Sequence, residues 1–305
     1  MAHYRDLLAQ IDALLRPTLG EGRVADYIPE LAKVAPDQFG MAIATPDGEV
    51  ETVGQAATPF SVQSISKLFA LVLAIQTEGD DLWARVGREP SGAPFNALVQ
   101  LDAEKGHPRN PFINAGALVV SDVLCSHYAV PENAVAQFLS RLDGRRLIHF
   151  DERVARSERN HCGRNAAMLH LMQSYGNIRN PVDQVLGAYC RQCAIEMTCE
   201  ELARAVTFLA CGGRDPRTGE QILPAAHAKR VNALMLTCGT YDAAGDFAFR
   251  IGLPVKSGVG GGIVAVMPNR CGVCVWSPAL DRAGNSQAGA RALELLTTHT
   301  GWTIF

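Results

Sequence analysis

Apolar positions near the start of the chain recur at the spacing of an amphipathic helix. Between Met1 and Arg16 they fall every three or four residues among charged ones, at Leu7, Leu8, Ile11, Leu14 and Leu15. This pattern predicts a helix that buries one face. A shorter apolar pattern predicts a second helix around Tyr27 to Val34.

Alternating apolar and polar residues predict strands near both ends of the chain. The segment FGMAIATPDGEVETVG has two alternating runs around Pro46-Asp47-Gly48, and it therefore predicts a β-hairpin. Towards the other end, the runs IVAVMP and GVCVWSP flank a turn at Asn269-Arg270. The last periodic segment, SQAGARALELLTTH, predicts a terminal helix.

The stretch between these strands, from Ser64 to about Gly212, has a mostly helical pattern. Gly79 is predicted to end its first helix, and Pro131 to begin another. Before the run LARAVTFLA, a threonine and a glutamate three residues apart predict a capping box, at Thr198 and Glu201.

The order of these elements predicts an α+β fold. Strands at both ends imply one antiparallel sheet built from the N- and C-terminal segments, with packed helices and an inserted helical lobe. We expect a single domain over residues 1–305. Its α/β lobe comprises residues 1–63 and 213–305, and its helical lobe comprises residues 64–212.

Composition and charge narrow the classes of partner. The chain has 305 residues, of which 28 are basic and 31 acidic, so its formal net charge is −3. This balance offers no general attraction for nucleic acid or anionic lipid, and it favours a small polar substrate. No apolar run reaches the ~18 residues that a membrane helix needs. The N-terminus lacks the basic start and apolar stretch of a secretory signal, so we expect a cytoplasmic location.

Nine cysteines and eight histidines raise the question of a metal site. The cysteine number is odd, which favours a reducing compartment over a disulfide framework. Cys190/Cys193 and Cys271/Cys274 have C-x-x-C spacing, but the first pair lies in a helical pattern and the second in a strand pattern. We therefore predict buried free thiols rather than a zinc site. The histidines lack paired spacing, and none, His161 included, is assigned a role.

The most informative segment is PFSVQSISKLFALVLAIQTEG, in which Ser64 and Lys67 stand three residues apart at the start of an apolar helix. This spacing places the two side chains on one face. A desolvated lysine can lose its charge and take the proton of a serine hydroxyl, which makes the hydroxyl a nucleophile. Ser66 is a nearby competitor, but it should point elsewhere.

A second motif, KSGVGGG, runs directly into the strand IVAVMP. S-x-x-K followed by K-[ST]-G is the motif pair of penicillin-recognising serine enzymes. The backbone N–H of Val259 could complete an oxyanion hole with that of Ser64. Lys256 could supply positive field at the site or merely buttress it.

The middle motif of those enzymes, S-D-N or Y-x-N, has one match in letters, Tyr175-Gly176-Asn177. This triplet falls where the helix AAMLHLMQSYG should end, with Gly176 as its C-terminal cap. We interpret it as a helix end. No G-x-S-x-G nucleophile elbow is present, although a Ser-His-Asp triad stays open at this stage.

The whole chain resembles the β-lactamase-related, serine-dependent glutaminase family. The strings that carry the resemblance are VADYIPELAKV, FSVQSISKLFAL, NPFINAGAL, SERNHCGRNAAM, YCRQCAI, TYDAAGDFA and KSGVGGGIVAV. The resemblance implies a fold like that of β-lactamases and penicillin-binding proteins. It also implies hydrolysis of the side-chain amide of L-glutamine to L-glutamate and ammonia through a Ser64 acyl-enzyme. The resemblance implies no metal or organic cofactor. It implies that the chain assembles into a homodimer or homotetramer.

Site residues are carried over by motif position. Ser64 matches the nucleophile and Lys67 its general base, and Tyr241 is our choice as their acid/base partner. Val259 shares the oxyanion hole with Ser64, and Lys256 is a possible support. The positions that match substrate-binding residues are Tyr27, Asn114, Glu158, Asn165, Tyr189, Tyr241 and Val259.

These residue types suit glutamine, but each has a plainer interpretation. Glu158 can bind an α-ammonium, and asparagine amides and tyrosine hydroxyls can bind an α-carboxylate. Without the resemblance, Asn114 and Asn165 are typical of turns and helix starts, and Glu158 of a solvated surface. Two other readings stay open: a β-lactamase or D-Ala-D-Ala peptidase, and a non-catalytic amino-acid sensor on the same fold.

Overall fold

A computed structural model describes residues 2–92 and 97–305. Its strands are β1 (Gly40–Ala44), β2 (Val50–Gly54), β3 (Phe60–Ser61), β4 (Glu196–Met197), β5 (Val255–Ser257), β6 (Gly262–Met267) and β7 (Cys271–Trp276). The helices are α1 (Ala2–Leu15), α2 (Ser66–Glu78), α3 (Leu98–Ala103), α4 (Asn114–His127), α5 (Pro131–Asp143), α6 (Glu152–Asn160), α7 (Gly163–Ser174), α8 (Val182–Cys193), α9 (Cys199–Ala210), α10 (Ala225–Cys238), α11 (Ala244–Arg250) and α12 (Gln287–Thr300). Short 3₁₀ turns cover Arg16–Thr18, Leu31–Lys33, Gln63–Ile65, Gly79–Ala84 and Tyr241–Ala243.

The predicted sheet is confirmed, and it joins the two ends of the chain. Five strands are arranged in the order β2-β1-β7-β6-β5, and each neighbouring pair is antiparallel. The N-terminal hairpin pairs β1 with β2, with Gly40 opposite Gly54. The other edge of β1 pairs with the C-terminal β7, where Gly40 lies opposite Trp276. The α+β fold expected from the distribution of strands is therefore the one observed.

Alternation along the strands divides the core between the two faces of the sheet. On β1, Met41 and Ile43 belong to a cluster shared with α1 and α12. Their neighbours Ala42 and Ala44 face the opposite way, into the large cluster that also contains α9 and the helices of the middle segment. Successive side chains of a strand point to opposite faces, so both faces of the sheet are covered where β1, β6 and β7 lie, and these three strands consist of apolar residues. The edge strand β2 is only partly buried and contains Glu51 and Thr52.

The predicted starts and stops of the helices are largely confirmed. Gly79 caps α2 at its C-terminus, and α5 begins at Pro131. Thr198 and Glu201 form the reciprocal capping box at the start of α9. The first helix is α1, which begins at Ala2 because Met1 lies outside the described residues. Within the described ranges, every helix is too short or too polar to cross a membrane.

The prediction of a helix around Tyr27 to Val34 is wrong. Only a three-residue 3₁₀ turn forms there, Leu31–Lys33. Pro29 lies inside the predicted range and Pro36 lies two residues beyond it, and a residue before proline is disfavoured in the helical region. The apolar side chains that suggested a helix, including Ile28 and Leu31, are instead buried from a loop.

Helix α2 is the structural centre of the middle segment. All ten residues from 66 to 75 are buried, among them Lys67. A helix that is apolar on every side belongs to a core, and α4, α5 and α8 pack around this one. Because α2 follows directly on the turn Gln63–Ile65, the surrounding core holds that turn in place.

Candidate active site

A cavity of about 290 Å³ opens beside the N-terminal end of α2. Seven of the residues singled out from the sequence line it: Tyr27, Ser64, Asn114, Glu158, Asn165, Tyr189 and Val259. Three others, Lys67, Tyr241 and Lys256, are buried next to this lining rather than in it. The fold therefore brings together residues from α2, α4, α6, α7, α8 and the turn before β6.

Ser64 lies in the 3₁₀ turn Gln63–Ile65, two residues before α2 begins, rather than on the helix itself. The preceding residue, Gln63, has the left-handed backbone angle φ 49°, which is uncommon for a side chain other than glycine or asparagine. Such conformations cluster at functional sites because the surrounding structure must hold them. Ser66, the competing serine, is wholly buried and donates its hydroxyl to the carbonyl of Gln63 at 2.7 Å.

The Lys67 ammonium is 1% exposed and held by two acceptors. Its Nζ donates to the carbonyl of Phe112 at 3.1 Å and to Asn114 Oδ1 at 2.7 Å. Burial penalises the charged form and lowers the pKa of Lys67 to about 8, although Cys193 and Glu158 nearby act in the opposite direction. At pH 7, about one molecule in ten therefore carries an uncharged amine there.

Asn114 and Asn165 continue the hydrogen bonding of Lys67 as a chain in which each residue donates to the next. Because Asn114 Oδ1 accepts from Lys67, its Nδ2 faces Asn165 and donates to Oδ1 of that residue at 3.0 Å. The hydroxyl of Tyr189 also donates to Asn114 Oδ1, at 3.4 Å. This chain leaves the Nδ2 group of Asn165 as a donor towards the cavity.

Tyr241 and Lys256 form a second buried pair. Lys256 Nζ lies 4.5 Å from the centre of the Tyr241 ring and 3.4 Å from its hydroxyl, and it also donates to the carbonyl of Gly239 at 3.0 Å. Burial, and then the charge of Lys67, lowers the pKa of Lys256. The hydroxyl of Tyr241 is hydrogen-bonded to Ser64, while burial raises its pKa. Tyr241 thus links the second lysine to the serine.

The K-S-G turn packs directly on the Ser64 turn. A side chain added at Gly258 would lie 2.6 Å from the carbonyl oxygen of Val62 and 3.2 Å from the backbone nitrogen of Ser64. Only glycine permits this approach. Within the described part of the chain, the N–H groups of Ser64 and Val259 donate to no backbone or side-chain acceptor. Both amides are therefore available to a ligand.

Glu158 is the acidic group of the cavity. Burial raises the pKa of its carboxyl to about 7, against the opposing effects of a hydrogen bond from Gln63 and the charge of Lys67. Gln63 is itself anchored, since its Nε2 donates to the hydroxyl of Ser61 at 3.0 Å. A carboxyl with such a pKa is close to half ionised at neutral pH, and it gains strongly from a cationic partner.

Comparison with known proteins decides the family. The Glutaminase family model matches residues 22–305. The chain belongs to the glutaminase family. A glutaminase of Ralstonia nicotianae is 62% identical over 302 residues, which cover 99% of each chain. A glutaminase of Paraburkholderia phytofirmans is 61% identical over 303 residues, or 99% of this chain and 100% of that one.

The solved structures agree with this membership. A probable glutaminase of Bacillus subtilis has a TM-score of 0.90 at 32% sequence identity, and the match covers 98% of this chain and 97% of that chain. The fold expected from the resemblance is thus confirmed.

The triplet Tyr175-Gly176-Asn177 ends a helix, as predicted, and does not line the cavity. Helix α7 stops at Ser174, and Gly176 has the positive φ of 78° typical of a C-terminal cap. The hydroxyl of Tyr175 bonds to Asp102, and the amide of Asn177 bonds to the carbonyls of Arg85 and Gly106.

Several lining residues were not predicted from the sequence: Ile28, Gln63, His161, Cys162, Arg164 and Cys193. All of them lie within the sequence strings that carry the family resemblance. Their closeness in sequence to the matched site residues was therefore the only feature that could have pointed to them. The two cysteines of this set are free and buried, as are both members of the pair Cys271/Cys274 on β7. Among the described residues, no three potential metal ligands come together.

Proposed function

We propose that this member of the glutaminase family hydrolyses the side-chain amide of L-glutamine to L-glutamate and ammonia through an acyl-enzyme on Ser64. The observation that carries the assignment of Ser64 is its position. Its hydroxyl lines the cavity, is hydrogen-bonded to Tyr241, and stands one turn before a buried lysine with a pKa of about 8. The family match supports glutamine as the substrate.

Lys67 acts as the general base. In its uncharged form the amine has two N–H groups, and the carbonyl of Phe112 and Asn114 Oδ1 supply two acceptors for them. The nitrogen lone pair is then left to take the proton of Ser64 as the hydroxyl attacks the amide carbon. Tyr241, polarised by Lys256, passes this proton on to the amide nitrogen, which leaves as ammonia.

The backbone amides of Ser64 and Val259 stabilise the oxyanion of the tetrahedral intermediate. Their N–H groups belong to two turns in direct contact, which pre-sets their separation before substrate binds. Donors that need no rearrangement during the reaction are the most effective kind. Water then enters where ammonia left and attacks the glutamyl ester while Lys67 takes one of its protons. This proton returns to the Ser64 oxygen as the ester bond breaks and glutamate leaves.

The remaining residues hold the amino-acid end of the substrate. Glu158 pairs with the α-ammonium, and this cation favours the ionised carboxylate. Asn165, through its free Nδ2 group, and the hydroxyl of Tyr27 donate to the α-carboxylate. Tyr189 joins them by turning its single hydroxyl proton from Asn114 Oδ1 to the same carboxylate. Removing one methylene from the substrate moves its amide away from Ser64, so asparagine should be a poorer substrate.

The test is ammonia release from L-glutamine by the wild type and by Ser64→Ala, with Ser66→Ala as the matched control. Ser64→Ala should lose at least about 10³-fold in kcat. Ser66→Ala should remain active, since its hydroxyl bonds to the carbonyl of Gln63 and to Cys193 and does not line the cavity. A diazoketone analogue of glutamine should add to the wild type and not to Ser64→Ala, as measured by intact-protein mass. Undiminished activity in Ser64→Ala would contradict the proposed nucleophile.

We further propose the assembly and organisation implied by the resemblance. The chain forms a homodimer or homotetramer, works in the cytoplasm, and is divided into an α/β lobe (1–63 and 213–305) and a helical lobe (64–212). Light scattering coupled to size-exclusion chromatography measures the number of subunits. A monomer at micromolar concentration would exclude the assembly.

A further inference from the structure

The cavity contains one acidic side chain and one arginine, and these two do not pair. Glu158 and Arg164 both line it, yet no ion pair within 4 Å joins them. Across residues 2–92 and 97–305, Arg164 makes neither a hydrogen bond nor an ion pair with any side chain or carbonyl, and it is exposed. It is the only lysine or arginine in the described lining.

The position of Arg164 is unfavourable for its own helix. It is the second residue of α7, a twelve-residue helix with no acidic residue in its first turn. The N-terminus of a helix carries partial positive charge, so a cation there is destabilising. By contrast, α9 has Glu200 and Glu201 in its first turn. A residue that breaks a local rule without a compensating contact is expected where function requires it.

We propose that Arg164 binds the α-carboxylate of the substrate and makes the site selective for amino acids whose α-carboxylate is free. The inference rests on the proposed hydrolysis of glutamine. Glu158 and Arg164 then form two separated charges of opposite sign, which match the α-ammonium and α-carboxylate of a zwitterion. The next residue, Asn165, directs its free amide donors into the same cavity.

The chemistry of guanidinium suits this role. It stays charged at all relevant pH values, and its planar set of N–H donors matches the two oxygens of a carboxylate. Because the side chain is exposed, screening limits its effect to about tenfold in affinity. The contact is made equally in the ground state and the transition state, since the α-carboxylate is remote from the reacting amide. Such uniform binding changes KM and leaves kcat unaltered.

The experiment compares wild type, Arg164→Ala, Arg164→Lys and Arg156→Ala. Arg156 is an exposed arginine on α6, two residues before Glu158, and it does not line the cavity. Steady-state kinetics are measured with L-glutamine and with L-glutaminamide, whose α-carboxylate is replaced by a neutral amide. Each series is repeated at low and high sodium chloride.

Arg164→Ala should raise KM for L-glutamine about tenfold with kcat within twofold, and should leave kcat/KM for L-glutaminamide unchanged. Arg164→Lys should lose less than Arg164→Ala, and Arg156→Ala should match the wild type. Salt should raise KM of the wild type more than that of Arg164→Ala.

Equal losses on both substrates, a loss confined to kcat, or an unchanged KM in Arg164→Ala would overturn the inference. If Ser64→Ala hydrolysed L-glutamine as fast as the wild type, the proposed mechanism would be overturned instead. The two failures are therefore distinguishable.

Discussion

The pH dependence of kcat/KM provides a sharp test of the proposed chemistry, because two buried groups must both be deprotonated. Lys67 must be uncharged to accept a proton, and burial lowers its pKa to about 8. Glu158 must be ionised to bind an α-ammonium, and burial raises its pKa to about 7. Both requirements are met better as pH rises, so activity should increase from acid towards alkaline pH.

The magnitude follows from the two pKa values. Between pH 6 and pH 8, the uncharged fraction of Lys67 rises about 50-fold, from about one-hundredth to one-half. The ionised fraction of Glu158 rises about tenfold over the same range. Since both groups must be in the right form together, kcat/KM should rise about 500-fold, with a logarithmic slope near two at the acid end.

The assay is the initial rate of glutamate formation at substrate concentrations well below KM and at constant ionic strength. The window from pH 6 to pH 8 keeps the α-ammonium of the substrate protonated. Activity at pH 8 after incubation at each pH controls for unfolding. Glu158→Gln removes one titrating group, and it also removes a charge that raises the pKa of Lys67. Its increase should therefore fall below about 50-fold, with a slope of one.

A second variant tests the direction of one contributing interaction. The hydrogen bond from Gln63 lowers the pKa of Glu158, so Gln63→Met should move the break in slope to higher pH. A wild-type slope of one or less throughout this window, or an equal slope in Glu158→Gln, would refute the assignment of these two groups.

Three further variants test the packing around the site and the core. Gly258→Ala should lower kcat/KM about 100-fold, because its Cβ would lie 2.6 Å from a backbone oxygen of the turn that holds Ser64. Asp122→Ala should lower the free energy of unfolding in urea by about 3–5 kcal/mol, because the carboxylate is wholly buried against Arg85 at 2.5 Å. Thr198→Ala removes an N-cap and should cost about 1 kcal/mol by the same measurement.

Control variants and contradicting outcomes accompany these predictions. Gly245→Ala introduces a methyl group that meets no atom within 4 Å beyond its chain neighbours and the backbone of its own helix, so it should retain full activity. An equal loss in both glycine variants would indicate general damage to the fold. A Thr198→Ala protein as unstable as Asp122→Ala would show that the capping box supports more than one helix end.

Much of the fold was predictable because its signals are local. The hairpin around Pro46-Asp47-Gly48 and the strands on either side of Asn269 follow from side-chain alternation and turn residues. The helix predicted around Tyr27 to Val34 does not form, because its apolar spacing conflicts with Pro29 inside the range and Pro36 just after it. There, buried contacts with the rest of the protein stabilise a loop instead of a helix.

The residues of the candidate site likewise include some that local sequence motifs predict and others that only the folded structure identifies. Ser64 and Lys67 could be selected from the sequence because the S-x-x-K spacing is followed by a K-S-G motif at the start of a strand. The contact of Lys67 with Asn114 joins positions 47 residues apart, and no local pattern encodes it. No sequence motif pointed to Gln63 or Arg164, since their importance depends on the cavity that both residues line.

The sequence by itself determined the strands near both ends of the chain, the helix boundaries at Gly79, Pro131 and Thr198, the nucleophile motif and, through resemblance, the family. These depend on backbone preferences and on side chains close together along the chain. Only the tertiary structure decided which groups are desolvated, and therefore that Lys67 titrates near pH 8 and Glu158 near pH 7. The free energy of a buried charge depends on every atom around it, and those atoms come from segments that folding alone brings together.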